Sequence, residues 1–129
     1  YASKNVVLFG GDVGNVHYGD TWIWDGVNWT QQSPQSSPSA RTMGSFAWDP
    51  RLGGVVLFGG AGATALNDTW IWKDSNWTRV FPAGAIPPGR WAAPISYNPI
   101  SQGLLLFGGC CSNLDDTWLF FRIPATEQR

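Results

Sequence analysis

Short apolar runs stopped by paired glycines recur along the chain: Val6-Val7-Leu8-Phe9 before Gly10-Gly11, Val55-Val56-Leu57-Phe58 before Gly59-Gly60, and Leu104-Leu105-Leu106-Phe107 before Gly108-Gly109. An unbroken apolar run of this length, ended by glycine, predicts a strand buried on both faces. A different pattern follows each run. Asp20–Trp24 alternates, which sets Trp22 and Trp24 on one face of a strand and Thr21 and Ile23 on the other. The same Asp-Thr-Trp triplet opens at Asp68 and Asp116. Turn-prone stretches at Asp25–Asn28 and Lys73–Asn76 lead into short strands at Trp29–Gln32 and Trp77–Val80. The connectors Ser33–Ser39 and Phe81–Gly89 are broken by proline with serine or glycine, and they end at Arg41 and Arg90. Beyond each arginine, Met43–Trp48 and Ala92–Tyr97 predict the remaining strand, closed by turns at Asp49-Pro50 and Asn98-Pro99. No helical periodicity competes with this reading.

The glycine-stopped runs start at positions 6, 55 and 104, a period of 49, and the Asp-Thr-Trp triplets repeat every 48 residues. Periods of about 20 to 50 residues mark arrays in which one unit cannot cover its own apolar face and needs neighbours. One full unit holds four strands. Residues 1–40 form a partial unit without its first strand, residues 41–89 a full one, and residues 90–129 a unit whose last strand is missing or degenerate. In that third unit Ala125–Gln128 falls where Trp29–Gln32 stands, without the tryptophan.

These features resemble the kelch repeat, in which a diglycine closes an apolar strand, an aromatic strand is followed at short range by tryptophan, and an arginine precedes the next strand. The resemblance covers nearly the whole chain, with blades like those of the central domain of galactose oxidase. One departure is that Trp24 and Trp29 have only four residues between them, where the family places tyrosine and tryptophan farther apart. The resemblance implies an all-β fold of four-stranded antiparallel blades belonging to a β-propeller. A closed propeller takes roughly four to eight blades, so the chain is an incomplete propeller. It is expected to be completed by its own copies, or by missing blades of a longer chain of which it is an excerpt. Tyr1, standing about five residues ahead of the first strand, fits a chain shortened at its start. Tryptophans at matching points of successive blades are expected to fill the space between sheets.

Composition narrows the function classes. Of 129 residues only 13% are charged and the formal net charge is −1, so nothing marks a nucleic-acid partner or an anionic membrane, and no apolar run spans a bilayer. No residue is assigned to catalysis, to a metal or to a cofactor. His17 is the only histidine, and the repeated Asp20, Asp68 and Asp116 fit structural work better than an acid and base pair. The polar stretches Asp12–Gly19, Ala61–Asn67 and Cys110–Asp115 vary in length at a fixed place in the repeat, which predicts surface loops suited to binding. His17 and Tyr18 in the first, with Trp48 and Trp91 outside the repeated aromatic positions, are the binding candidates. Asn28, Asn67 and Asn76 each open an Asn-x-Thr sequon and are glycosylation candidates. Cys110 and Cys111 are either two thiols, a vicinal disulfide or a bridge to another chain. The expectation is a non-catalytic structural or protein-interaction module, extracellular or at the cell surface. A carbohydrate-binding propeller and a fragment of a copper-containing propeller oxidase are the alternatives.

Overall fold

A computed structural model of the chain describes residues 5–110 and 114–120. Ten strands follow in chain order: β1 (Val6–Val13), β2 (Val16–Trp24), β3 (Trp29–Gln32), β4 (Ser45–Asp49), β5 (Gly54–Ala61), β6 (Ala65–Lys73), β7 (Asn76–Val80), β8 (Ile95–Asn98), β9 (Gly103–Phe107) and β10 (Thr117–Phe120). They form three antiparallel sheets, ordered β1-β2-β3, β4-β5-β6-β7 and β8-β9-β10, and no helix occurs among the described residues. The fold is therefore all-β, with three, four and three strands in successive sheets. The degenerate strand expected at Ala125–Gln128 lies outside the described residues.

The hairpins differ from expectation in one respect. Asp12–Gly19 and Ala61–Asn67 are not loops: β1 continues to Val13 and β2 begins at Val16, while β5 continues to Ala61 and β6 begins at Ala65. Whereas β9 ends at Phe107, before Gly108, the first two diglycines do not end the strand. They shift its register, between Phe9 and Gly11 in the first sheet and between Phe58 and Gly60 in the second, after which pairing resumes at Gly11 with Tyr18 and at Gly60 with Leu66. Gly10 and Gly59 hold φ of 67° and 63°, a left-handed backbone that glycine adopts without steric cost. The first hairpin then closes in two residues, with Gly14 at φ 62° in the first central position, where a type II′ turn calls for glycine.

Side chains opposite one another across antiparallel strands share a face. In the second sheet one face carries Leu57 and Trp70 in one row and Trp48, Val55, Trp72 and Trp77 in the next. It packs on Val7, Phe9 and Ile23 of the first sheet, and Phe9 meets the Trp77 ring edge-on at 5.4 Å. The opposite face, with Val56, Phe58 and Ile71, packs on Leu104, Leu106 and Trp118 of the third sheet. Each sheet thus covers its neighbour's apolar face.

Among the described residues only the middle sheet has neighbours on both faces, and burial follows. Val56, Leu57 and Phe58 are wholly buried as the repeat predicts, whereas in the first sheet Leu8, the match of Leu57, is exposed and Val7, the match of Val56, is half-buried. The tryptophans divide in the same way. Trp77 is fully buried and its indole Nε1 donates to Thr21 Oγ1 at 2.9 Å, while its repeat mate Trp29 is 45% exposed. In the monomer, Trp77→Ala is expected to lower the unfolding free energy by about 3–5 kcal/mol, as loss of a buried large aromatic does, and Trp29→Ala by about 1 kcal/mol or less. Parallel urea denaturation of the two variants checks the contrast.

Candidate functional site

The junctions between sheets are built on the two arginines that end the connectors. Arg41 uses its backbone toward the first sheet: its N–H donates to the Tyr18 carbonyl at 3.0 Å and its carbonyl accepts from Gly11 N at 2.9 Å. Its side chain turns into the second sheet. There the guanidinium makes a two-pronged pair with Asp68, at 2.6 and 2.8 Å, and also donates to the Gly59 carbonyl at 3.0 Å. Trp70 Nε1 donates to the same carboxylate at 2.7 Å. Arg90 repeats every element one junction later, with its backbone on Leu66 and Gly60 and its side chain on Asp116 and the Gly108 carbonyl. A planar guanidinium fork matches a carboxylate in this way and lysine does not.

The same junction explains the diglycine. A Cβ built on Gly10 would stand 2.3 Å from the Arg41 carbonyl oxygen, and one on Gly59 would stand 2.6 Å from that of Arg90. The strand can pass under the arginine backbone only where it has no side chain. Both guanidinium groups are buried, Arg41 at 1% and Arg90 at 0% exposure. Burial works against charge on Asp68, but the hydrogen bonds from Arg41 and Trp70 and the charge of Arg41 prevail, and they hold its carboxyl below the ordinary value of 3.8. Arg90 first, then Trp118, hold the Asp116 carboxyl well below the carboxylate range.

The first sheet carries half of this device. Asp20 accepts Trp22 Nε1 at 2.6 Å, as Asp68 and Asp116 accept Trp70 and Trp118, but no arginine reaches it among the described residues. The strand that would precede β1 is likewise absent among the described residues, so one edge of β1 has no partner there. Beyond the edge lies an open face with Val6, Leu8 and Trp29 exposed. At the other end of the stack, the outer face of the third sheet exposes Phe107 and Leu119. Their counterparts in the second sheet are Phe58 and Ile71, which are packed. The hydroxyl of Thr69, the repeat mate of Thr21, is buried with no partner among the described residues. The position that would answer it, at the spacing of Trp77, is Ala125, outside the described residues.

The four binding candidates do not converge. His17 and Tyr18 sit on β2 rather than in a loop, because the hairpin is paired along its length. Trp91 is half-buried and bridges Cys110 through its backbone. Trp48 is 53% exposed and lines a cleft of about 880 Å³ between the first and second sheets, with Val7, Val55, Trp72, Lys73 and Asp74. Asn28 and Asn67 are exposed, whereas Asn76 is half-buried and its Oδ1 accepts Ser36 N at 3.0 Å. Cys110 is exposed and Cys111 lies outside the described residues. Among the described residues no group of three or more metal-binding side chains gathers, and no helix is long and apolar enough to cross a membrane.

Sequence reasoning noted the arginines only as the ends of connectors. A usable signal lay in the spacing, because Asp68 follows Arg41 by 27 residues and Asp116 follows Arg90 by 26. No protein-family model matches the chain, and no curated protein matches it.

Asp68→Asn would strand the buried Arg41 charge, and unfolding by denaturant is expected to show a loss of about 3–5 kcal/mol. The acid side has a defined sign. Because Asp68 titrates below its unfolded value near 3.8, its contribution is fully present above that pH and is lost as pH falls through the lower folded value. Asp68→Asn should therefore flatten that part of the acid denaturation profile.

Proposed function

We propose that this chain is a non-catalytic interaction module made of kelch-type propeller blades, whose work is to join further blades of the same kind. The observation that supports it is the pair of mismatched ends. The first sheet opens the face that the second and third sheets use to cover their predecessors, and the third sheet opens the face that the first and second offer to their successors. Such ends are complementary to each other and not to themselves, which makes contact between copies head-to-tail rather than two-fold. In that contact Trp29 of one copy stands to Phe107 of the next as Trp77 stands to Phe9 within the chain. Exposed apolar faces of this kind mark interaction sites.

An extracellular or cell-surface setting belongs to the same reading, with Asn28 and Asn67 as exposed glycan acceptors and Asn76 as one engaged at a junction. A second reading, glycan binding, is favoured by the exposed Trp48 at a cleft whose lining includes Asn5, Gln32 and Asp74. An exposed indole beside amide and carboxylate groups is a surface on which a sugar ring can stack.

Light scattering after size exclusion is expected to show mass above 14.1 kDa that rises with concentration. Leu8→Lys and Phe107→Lys should each give monomers, and a mixture of the two should form a complex of one to one, because each variant keeps one working end. A wild-type chain that stays monomeric at all concentrations rejects self-assembly. For the second reading, oligosaccharide should quench tryptophan fluorescence in the wild type and leave Trp48→Ala unchanged.

A further inference from the structure

The half-built junction at the first sheet has its own chemistry, distinct from that of the two open faces. In the second and third sheets the strand beside the glycine-stopped run is led by an arginine. Arg41 stands four residues before Ser45, where β4 starts, and Arg90 five before Ile95, where β8 starts. β4 pairs with β5 from Ser45 with Phe58 to Asp49 with Gly54, and Thr42 adds a bridge to Ala61. The first sheet presents the matching partners with nothing against them among the described residues. Asn5–Phe9 forms the free edge, and Leu8 is 43% exposed where Leu57 is wholly buried. A Cβ on Gly11 would meet nothing within 4 Å, whereas one on Gly60 would lie 2.9 Å from the Thr42 carbonyl. Asp20 already holds its Trp22 bond, so its carboxylate is oriented as Asp68 and Asp116 are.

We infer that the free edge of β1, with Asp20 and the Gly10 carbonyl, is a binding site for an extended segment that carries an arginine four or five residues ahead of a short apolar strand. Main-chain bonds along β1 supply the attachment, as in strand addition to a sheet edge. The arginine supplies selectivity, since a carboxylate and a carbonyl converge on one guanidinium and the site holds no cation of its own among the described residues. The inference rests on the reading of the chain as a module that joins further blades. It adds which chemistry the first blade accepts.

The probe is the chain's own arginine-led segment, a labelled synthetic peptide of residues 39–50, titrated into the full chain and followed by fluorescence anisotropy. Saturable binding of one peptide per chain is expected, with amide-exchange protection gained at residues 6–9. Two changes should each weaken binding about tenfold to a hundredfold, the range for losing a charged hydrogen bond: the peptide with its arginine replaced by glutamine, and the Asp20→Asn chain. That chain variant keeps an acceptor for Trp22 and should unfold at the wild-type denaturant midpoint. Absence of binding, binding unaffected by both changes, or protection gained elsewhere than β1 overturns the inference. Light scattering on Phe107→Lys tests the assembly reading separately, because Phe107 lies on the outer face of the third sheet and not on the β1 edge.

Discussion

The structure depends on one ion pair, made by a buried arginine and used twice. Arg41 and Arg90 each take a charge out of water, and a buried guanidinium is tolerated only where its donors are met. Here a carboxylate, a strand carbonyl and the connector carbonyls of Ser39 and Pro88 meet them. The carboxylate is in turn held by an indole two residues on. What makes the pair an organising element is that backbone and side chain of one residue serve different sheets. The arginine backbone closes the hairpin of the sheet before it, and its side chain closes the sheet after it. Positions otherwise free to slide are thereby fixed in register.

Other features follow from that constraint. The diglycine exists because the arginine carbonyl lies where a side chain would be, and the register shift exists because the diglycine is left-handed. The hairpin beyond is then paired to its tip, which carries His17 and Tyr18 out of any loop. The apolar packing is simple by comparison. Flat aromatic residues on one face of a sheet meet smaller apolar residues on the next, and an indole N–H finds a threonine hydroxyl across the gap. Among the described residues the hydroxyl of Thr69 has no such partner.

Among the described residues the stacked sheets leave two unlike ends, and on the proposed reading such ends favour propagation or closure with further units over a two-fold dimer. The edge of β1 and the open faces are separate consequences of the same arrangement. One is a row of main-chain groups beside a carboxylate, and the other is apolar area. On the proposed reading, partners are selected by strand pairing and charge at the first and by shape at the second.

Much of this was legible in the residues. Apolar runs of four, strict alternation in Asp-Thr-Trp-Ile-Trp and proline-broken connectors determine strand identity locally, because a pleated backbone imposes a period of two whatever surrounds it. The repeat likewise predicted three strands in residues 1–40, and three are described there. What the sequence could not determine is burial and pairing at a distance. Trp29 and Trp77 are the same residue in the same local pattern, and only the presence of a sheet on one side makes the second a core residue. Arg41 and Asp68 look like ordinary polar positions, and only folding brings them together, since their attraction depends on a separation in space that no local pattern encodes. Sequence thus determined which strands form and where they repeat; the tertiary structure decided which faces are covered, which charges are paired, and which carboxylate has no arginine among the described residues.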